Sequence, residues 1–201
     1  MYTYKIGISA QEHDDFVKQS SQTNLLQSAS WAKVKDNWDN ERIGFYKNNQ
    51  LVASASILIK PLPLSMTMLY IPRGPIMDYQ DQELLHFVLT SLKKFAKTKK
   101  ALFIKFDPSL FLVQNQSGEE RQDNPKTLDL INNLQKAGAI WLGRTELLDE
   151  TFSHAFKQIF TRIISAKNFY RKAHDKLFAL LATKVFKSNL VVQSFWTISL
   201  L

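Results

Sequence analysis

Apolar positions change their period several times along this chain, and each change marks an element. Tyr2-Thr-Tyr-Lys-Ile-Gly-Ile8 alternates and is rich in β formers, which predicts a strand. Ser9 follows as a helix cap, with Glu12 in the capping-box position, and predicts a helix to about Lys18. Asn24-Leu-Leu-Gln27 is a short apolar piece. Ser28 or Ser30 caps a second helix running Trp31 to Trp38, in which Trp31, Val34 and Trp38 recur at i, i+3 and i+7 as one apolar face. Arg42–Tyr46 and Leu51–Ile59 flank the polar turn Lys47-Asn-Asn-Gln50, a hairpin signature. Lys60-Pro-Leu-Pro-Leu64 predicts an extended link.

The second half of this pattern is helical and strand-like in turn. Thr67–Ile71 predicts a strand that stops at Pro72. Asp78 to Lys97 carries Leu84, Leu85, Val88, Leu92 and Phe95 near a 3.6-residue period and predicts an amphipathic helix. Ala101–Phe106 predicts a buried strand ending at Asp107-Pro108. A polar, acidic loop spans about Gln114 to Asn124. Pro125 to Ala137 is a helix stopped by Gly138, and Ala139–Gly143 is the next strand. The order β, α, α, β, β, β, α, β, α, β predicts an α/β (α+β) fold, with one mixed sheet covered by helices.

Composition changes this picture at one place. Residues 1–151 hold 18 Lys and Arg against 17 Asp and Glu, a balance of +1. Residues 152–201 hold 8 Lys and Arg against a single acid, Asp175, a balance of +7. All six Gly and all six Pro precede Thr151. The chain therefore divides into a well-punctuated first part, 1–151, and a basic tail, 152–201. There is no Cys, so neither a disulfide framework nor a thiolate metal site is available. No apolar run reaches the ~18 residues that span a bilayer, and Met1–Lys5 lacks a signal-peptide pattern. The expected location is the cytoplasm.

Candidate chemistry is sparse. The stretch Leu69 to Tyr79 contains Pro72-Arg-Gly-Pro75, a rigid bend that can aim the Arg73 side chain at a ligand. An ordinary loop with a solvated Arg is the alternative. Asp107 follows a buried strand, where open α/β sheets place ligand chemistry. A strand-ending Asx turn is the alternative there. Lys33 and Lys35 lie off the Trp face of their helix and could meet an anion, or form a solvated face. His13, His86, His154 and His174 form no metal pair. No Gly-rich phosphate loop occurs, which counts against a coenzyme A-dependent acetyltransferase.

Several stretches together resemble the N-terminal half of the FemABX family, closest to the MurM/MurN type. They are Gln27-Ser-Ala-Ser-Trp-Ala-Lys-Val-Lys35, Asn37-Trp38, Tyr70-Ile-Pro-Arg-Gly-Pro-Ile-Met-Asp78 and Phe103-Ile-Lys-Phe-Asp-Pro108. The resemblance covers about residues 1–151. It implies tandem acetyltransferase-like (GNAT) subdomains, the first of which is 1–151. It also implies transfer of an amino acid from aminoacyl-tRNA to the stem-peptide amine of a lipid-linked or nucleotide-linked peptidoglycan precursor. Aminoacyl-tRNA is then a co-substrate, no cofactor or metal is required, and a peripheral contact with the inner face of the membrane is expected. The resemblance implies that Lys33 meets the precursor's phosphates and that Asp107 is the catalytic base. It places Trp31, Lys35 and Arg73 on the substrate side of the site.

After Thr151 the family pattern continues I-Q-P-R-F, whereas this chain reads Phe152-Ser-His-Ala-Phe156. Permitted codons ACA TTC AGC CAC GCT TTC, read with one A inserted before TTC, give I-Q-P-R-F. The same shift carried through the tail yields K-S-T-R-Q-A-I-R-T-A-R-N-K-G, a family-like basic helix. The sequence thus predicts a frameshifted, non-native tail that can turn helical by accident of pattern. Its Phe195–Ile198 would expose apolar surface. The copy would be truncated and inactive. A competing reading makes the +7 tail a nucleic-acid or anionic-membrane binding element. Its cations are scattered among apolar residues rather than gathered on one face.

Overall fold

The computed structural model describes residues 1–35, 37–108, 113–114, 122–123, 125–144 and 194–199. The elements are β1 (Tyr2–Ile6), α1 (Ala10–Gln19), a 3-10 turn (Leu25–Gln27), α2 (Ala29–Val34), β2 (Asp39–Lys47), β3 (Gln50–Leu62), β4 (Met66–Ile71), β5 (Ile76–Met77) and α3 (Gln82–Thr98). There follow β6 (Ala101–Phe106), β7 (Val113–Gln114), β8 (Gln122–Asp123), α4 (Pro125–Lys136), β9 (Ala139–Arg144) and β10 (Ser194–Ser199). The main sheet runs β1-β2-β3-β4-β6-β10-β9, with β5 paired to β3 and a separate β7–β8 ladder. All of its pairs are antiparallel except β4–β6, which is parallel.

Local chemistry accounts for most boundaries. Ser9 caps α1 by accepting from the Glu12 N–H at 3.0 Å, and Ser28 caps α2 by accepting from the Trp31 N–H at 3.1 Å. Asn48 and Asn49 take positive φ and close the β2–β3 hairpin, as residues that tolerate that region do. Asp81 caps α3, accepting from Leu84 N–H at 2.9 Å and from the Tyr2 hydroxyl at 3.1 Å. α3 therefore begins later than the periodicity from Asp78 predicts, because Ile76–Met77 first pairs with β3.

The core lies between one sheet face and the helices α3 and α4. Ile43, Phe45, Ile57, Leu69, Ile71, Ile104 and Phe106 meet Leu85, Val88, Leu92 and Phe95 of α3 and Leu130 and Leu134 of α4 there. Buried area of this kind contributes about 25 cal/mol per Å² and supplies the main stabilisation. The other face carries Ser54, Ser56, Lys60, Tyr70 and Lys105; α1, α2 and, through Gln27, the 3-10 turn lie against β3.

Three expectations change. α2 stops at Val34, which is 67% exposed, so its buried side is Ala29 and Ala32 rather than Trp31, Val34 and Trp38. Lys60-Pro-Leu is strand, not link: β2 pairs only as far as Ile59, so Pro61 lies on a stretch with an open edge, where a missing N–H is tolerated. Residues 194–199 of the tail form β10, between β6 and β9. A run rich in aromatic and β-branched residues suits strand, and pairing removes two open edges. The remaining tail and the boundary at Thr151 lie outside the described residues, as does most of the acidic loop.

Candidate functional site

The parallel pair β4–β6 ends in two unusual segments side by side. Ile71 pairs with Phe106, so the Pro72–Pro75 bend and Asp107 leave the sheet at the same edge. Arg73 N–H donates to Asp107 Oδ1 at 3.0 Å. Asp107 is 0% exposed. Its Oδ2 makes no full hydrogen bond, although the Tyr70 hydroxyl approaches the carboxyl closely enough to act on it. Burial pushes the carboxyl up to about 6, against the Arg73 N–H, the Lys105 and Arg73 charges and the Tyr70 hydroxyl, which pull it down.

Lys105 stands two residues before Asp107 and is 6% exposed. Burial lowers its ammonium to about 7; the Asp107 charge opposes this and the Lys60 charge adds to it. Tyr70 is pushed well above its usual range by burial first and by Asp107 second. The result is a low-dielectric group in which one carboxyl and one amine are drawn toward neutrality, beside a phenol that keeps its proton there. Such sites suit proton transfer.

The bend is more constrained than its composition suggests. Positive φ falls on Arg73, at 55°, and not on Gly74, and the Gly74–Pro75 peptide is cis. A non-Gly residue in that region is strained by its own Cβ. Gly74 is needed for a different reason: a Cβ there would stand 2.8 to 2.9 Å from the Gln27 carboxamide. Tyr79 hydroxyl donates to Pro75 O at 2.7 Å and Gln22 Nε2 to Met77 O at 2.7 Å, so the segment after the bend is tied down as well.

The residues around α2 form a second, separate group. Lys33 lines an open cavity of about 630 Å³ with Ala32, Trp38, Asp39, Asn40, Ile59, Thr67 and Lys99. Lys35 instead lies 5.7 Å from the Trp31 ring centroid, a surface cation–π contact. Lys60 lies 5.1 Å from the Trp38 ring. Thr67 marks this cavity and Ile71 the Asp107 edge. Four residues of strand, at ~3.3 Å each, separate them by about 13 Å. The fold therefore joins Arg73 to Asp107 and keeps Lys33, Lys35 and Trp31 apart from them. Among the described residues no group of three or more His, Asp or Glu could hold a metal ion.

The FemAB family model matches residues 8–178. The chain belongs to this family. The matched region runs past Thr151. Lipid II:glycine glycyltransferases of Staphylococcus aureus, from strains MRSA252 and bovine RF122 / ET3-1, are each 38% identical over 137 residues, 67% of this chain and 32% of the relative. The chain thus spans about a third of the length of the curated relatives it matches. A crystal structure of FemX superposes with a TM-score of 0.61 at 32% identity, covering 73% of this chain and 35% of that one. The fold also matches the aminoglycoside 6'-N-acetyltransferase from Enterococcus faecium, with a TM-score of 0.51, 7% identity, and 99% and 97% of the two chains covered. A GNAT-family structure from Desulfovibrio desulfuricans superposes at 0.50 and 7% identity, covering both chains fully. The mixed sheet of this FemAB-family chain is accordingly of the acetyltransferase type.

In this FemAB-family chain the sequence motifs are legible but their network is not. His13, Gln27, Tyr70 and Lys105 gave no signal by spacing. Gln27 stands inside the Gln27–Lys35 motif, yet only the folded chain shows it reaching the Pro72–Pro75 bend.

Proposed function

We propose that this chain forms the first subdomain of an aminoacyltransferase that extends the stem peptide of a peptidoglycan precursor, with aminoacyl-tRNA as donor. The observation that carries the reading is the buried Asp107 carboxyl, one oxygen held by Arg73 N–H and the other without a full hydrogen bond, at the sheet edge of a chain similar to lipid II:glycine glycyltransferases.

That geometry supports acyl transfer to an amine. The stem-peptide ammonium gives a proton to the Asp107 carboxylate. The free amine attacks the ester carbonyl carbon, a C–N bond forms, the C–O bond to the ribose breaks, and the ribose oxygen takes up a proton. A carboxyl raised to about 6 accepts a proton near neutrality better than an ordinary one does. Fixing the amine against the ester supplies a further large part of such a rate gain. The Lys33 cavity is about 13 Å away along the sheet. That span suits a long precursor whose phosphates lie at Lys33 and whose amine lies at Asp107. No cofactor or metal enters this scheme. A lipid-linked precursor brings the chain to the inner face of the membrane. Among the described residues no helix is long and apolar enough to cross it.

The test is transfer of a labelled amino acid from charged tRNA to a lipid-linked precursor. The whole protein should transfer, and Asp107→Asn should slow it at least ~10²-fold. Full turnover by Asp107→Asn removes the assignment of the base.

A further inference from the structure

The peptide unit between Pro72 and Arg73 is gripped at both ends. Its N–H donates to Asp107 Oδ1 at 3.0 Å. Its C=O, on the Pro72 side, accepts from Gln27 Nε2 at 2.5 Å. Carbonyl and N–H of one trans peptide point in opposite directions, so the two grips pull on opposite sides of one plane. Rotating that plane breaks both.

Gln27 is built to hold still. It is 0% exposed. Its Oε1 accepts from Ser56 N–H at 2.9 Å, and its Nε2 also donates to Ser56 O at 3.2 Å, so the carboxamide rides on the backbone of β3. Its own carbonyl meets His13 Nε2 at 2.5 Å, and His13 Nδ1 meets Ser54 Oγ at 2.6 Å. His13 therefore ties the 3-10 turn to the same strand. The Gly74 position completes the seat, since a Cβ there would collide with the carboxamide.

The strain on Arg73 shows why a hold is needed. Turns with opposite orientations of their central peptide differ in the sign of φ at the following residue, and positive φ disfavours any residue but Gly, Asn or Asp. Arg73 sits at +55°. A flip of the Pro72–Arg73 plane would return it to negative φ and turn its N–H away from Asp107. The chain's own preference thus opposes the observed orientation, and an external bond must maintain it.

We propose that Gln27 is a positioning residue for Asp107: by holding the Pro72 carbonyl it fixes the Pro72–Arg73 peptide plane so that the Arg73 N–H meets Oδ1. Its link to transfer rests on the reading of Asp107 given above, but the geometry does not.

The test uses the whole 201-residue chain and no substrate. Carboxyl carbon NMR follows the titration of Asp107, and the Arg73 amide nitrogen reports the same titration through the hydrogen bond. In the unsubstituted protein both should share one midpoint, with the Gln27 side-chain amide protected from exchange. Gln27→Met keeps the volume and removes the donor. It should raise the Asp107 midpoint by ~1 unit, as loss of a hydrogen bond to a carboxylate does, and uncouple the Arg73 amide. Gly74→Ala, which displaces the carboxamide, should act in the same direction. A folded Gln27→Met protein with an unmoved midpoint and a still-coupled Arg73 amide overturns the proposal. So does an unsubstituted protein whose Gln27 amide exchanges freely, even if neither variant folds. Should the midpoint shift while Asp107→Asn retains full transfer, the positioning stands and the catalytic reading falls.

Discussion

Lys105 stands opposite Tyr70 across the parallel β4–β6 ladder, and its Nζ lies 5.4 Å from that ring's centroid. The same ammonium pulls the pKa of Asp107, two residues on, downward. The pair explains how a lysine can be buried on a sheet face: the aromatic face and the carboxylate offset part of the desolvation, and the remainder appears as an ammonium lowered to about 7.

That lowering has a signed consequence. Between about pH 7 and 10.5 the folded Lys105 has released its proton while the unfolded one retains it. The unfolded state then binds more protons, and stability rises with pH across this window. Below about pH 7 the full penalty of a buried charge is present. Lys105→Met should therefore gain most over the unsubstituted protein below pH 7, with the gap narrowing toward pH 10.5. Urea unfolding at pH 6 and pH 9.5 measures it. A gap that does not change with pH refutes the assignment.

Asp107 titrates with the opposite sign. Its folded form takes up a proton at about 6, above its ordinary 3.8, so its contribution to stability falls as pH rises from about 4 to about 6. Asp107→Asn keeps an oxygen for the Arg73 N–H and loses that pH dependence, and should be at least as stable at pH 7.5. Asp107→Ala leaves the N–H without its acceptor and should lose ~1–3 kcal/mol. Denaturation of both at pH 7.5 decides. Equal losses would mean that the hydrogen bond contributes nothing.

Lys33 and Lys35 occupy the same short helix but different surroundings. Lys33 is exposed and lines the cavity. Lys35 is engaged with Trp31. Lys33→Ala should leave unfolding within ~0.5 kcal/mol of the unsubstituted value and weaken binding of a nucleotide-linked precursor at least ~5-fold, a charge-assisted phosphate contact being lost. Lys35→Ala should weaken it less. Titration calorimetry at two salt concentrations checks both. An identical loss from both lysines would place the phosphates on the surface rather than in the cavity.

β10 pairs with β6 through Trp196–Phe106 and Ile198–Ile104, and with β9 through Ile198–Ala139. Stopping the chain after residue 193 leaves β6 and β9 with open edges. The shortened protein should associate in sizing chromatography at concentrations where the full chain elutes as a smaller species. Identical elution would show that β10 is dispensable to the sheet.

The local grammar of this chain was open to inspection in its sequence. Ser9 and Ser28 cap because a hydroxyl can accept from an N–H three residues on, whatever the rest of the chain does. Asn48-Asn49 turns because these residues tolerate positive φ. The period of Leu85, Val88, Leu92 and Phe95 marks the buried side of α3, and the family resemblance follows from motifs that are short and ordered. Tertiary structure alone decided the rest. It ended α2 at Val34, let Pro61 into a strand by leaving one side of it unpaired, and threaded residues 194–199 between β6 and β9. It also placed the strain of the Pro72–Pro75 bend on Arg73 and not on Gly74, because Gln27 and Asp107 hold one peptide plane from opposite sides. Capping and turn preferences act within four or five residues and are written in order along the chain. The acidity of Asp107 depends on burial, on Lys105 and on a peptide set by Gln27, and only folding brings the more distant of these groups together.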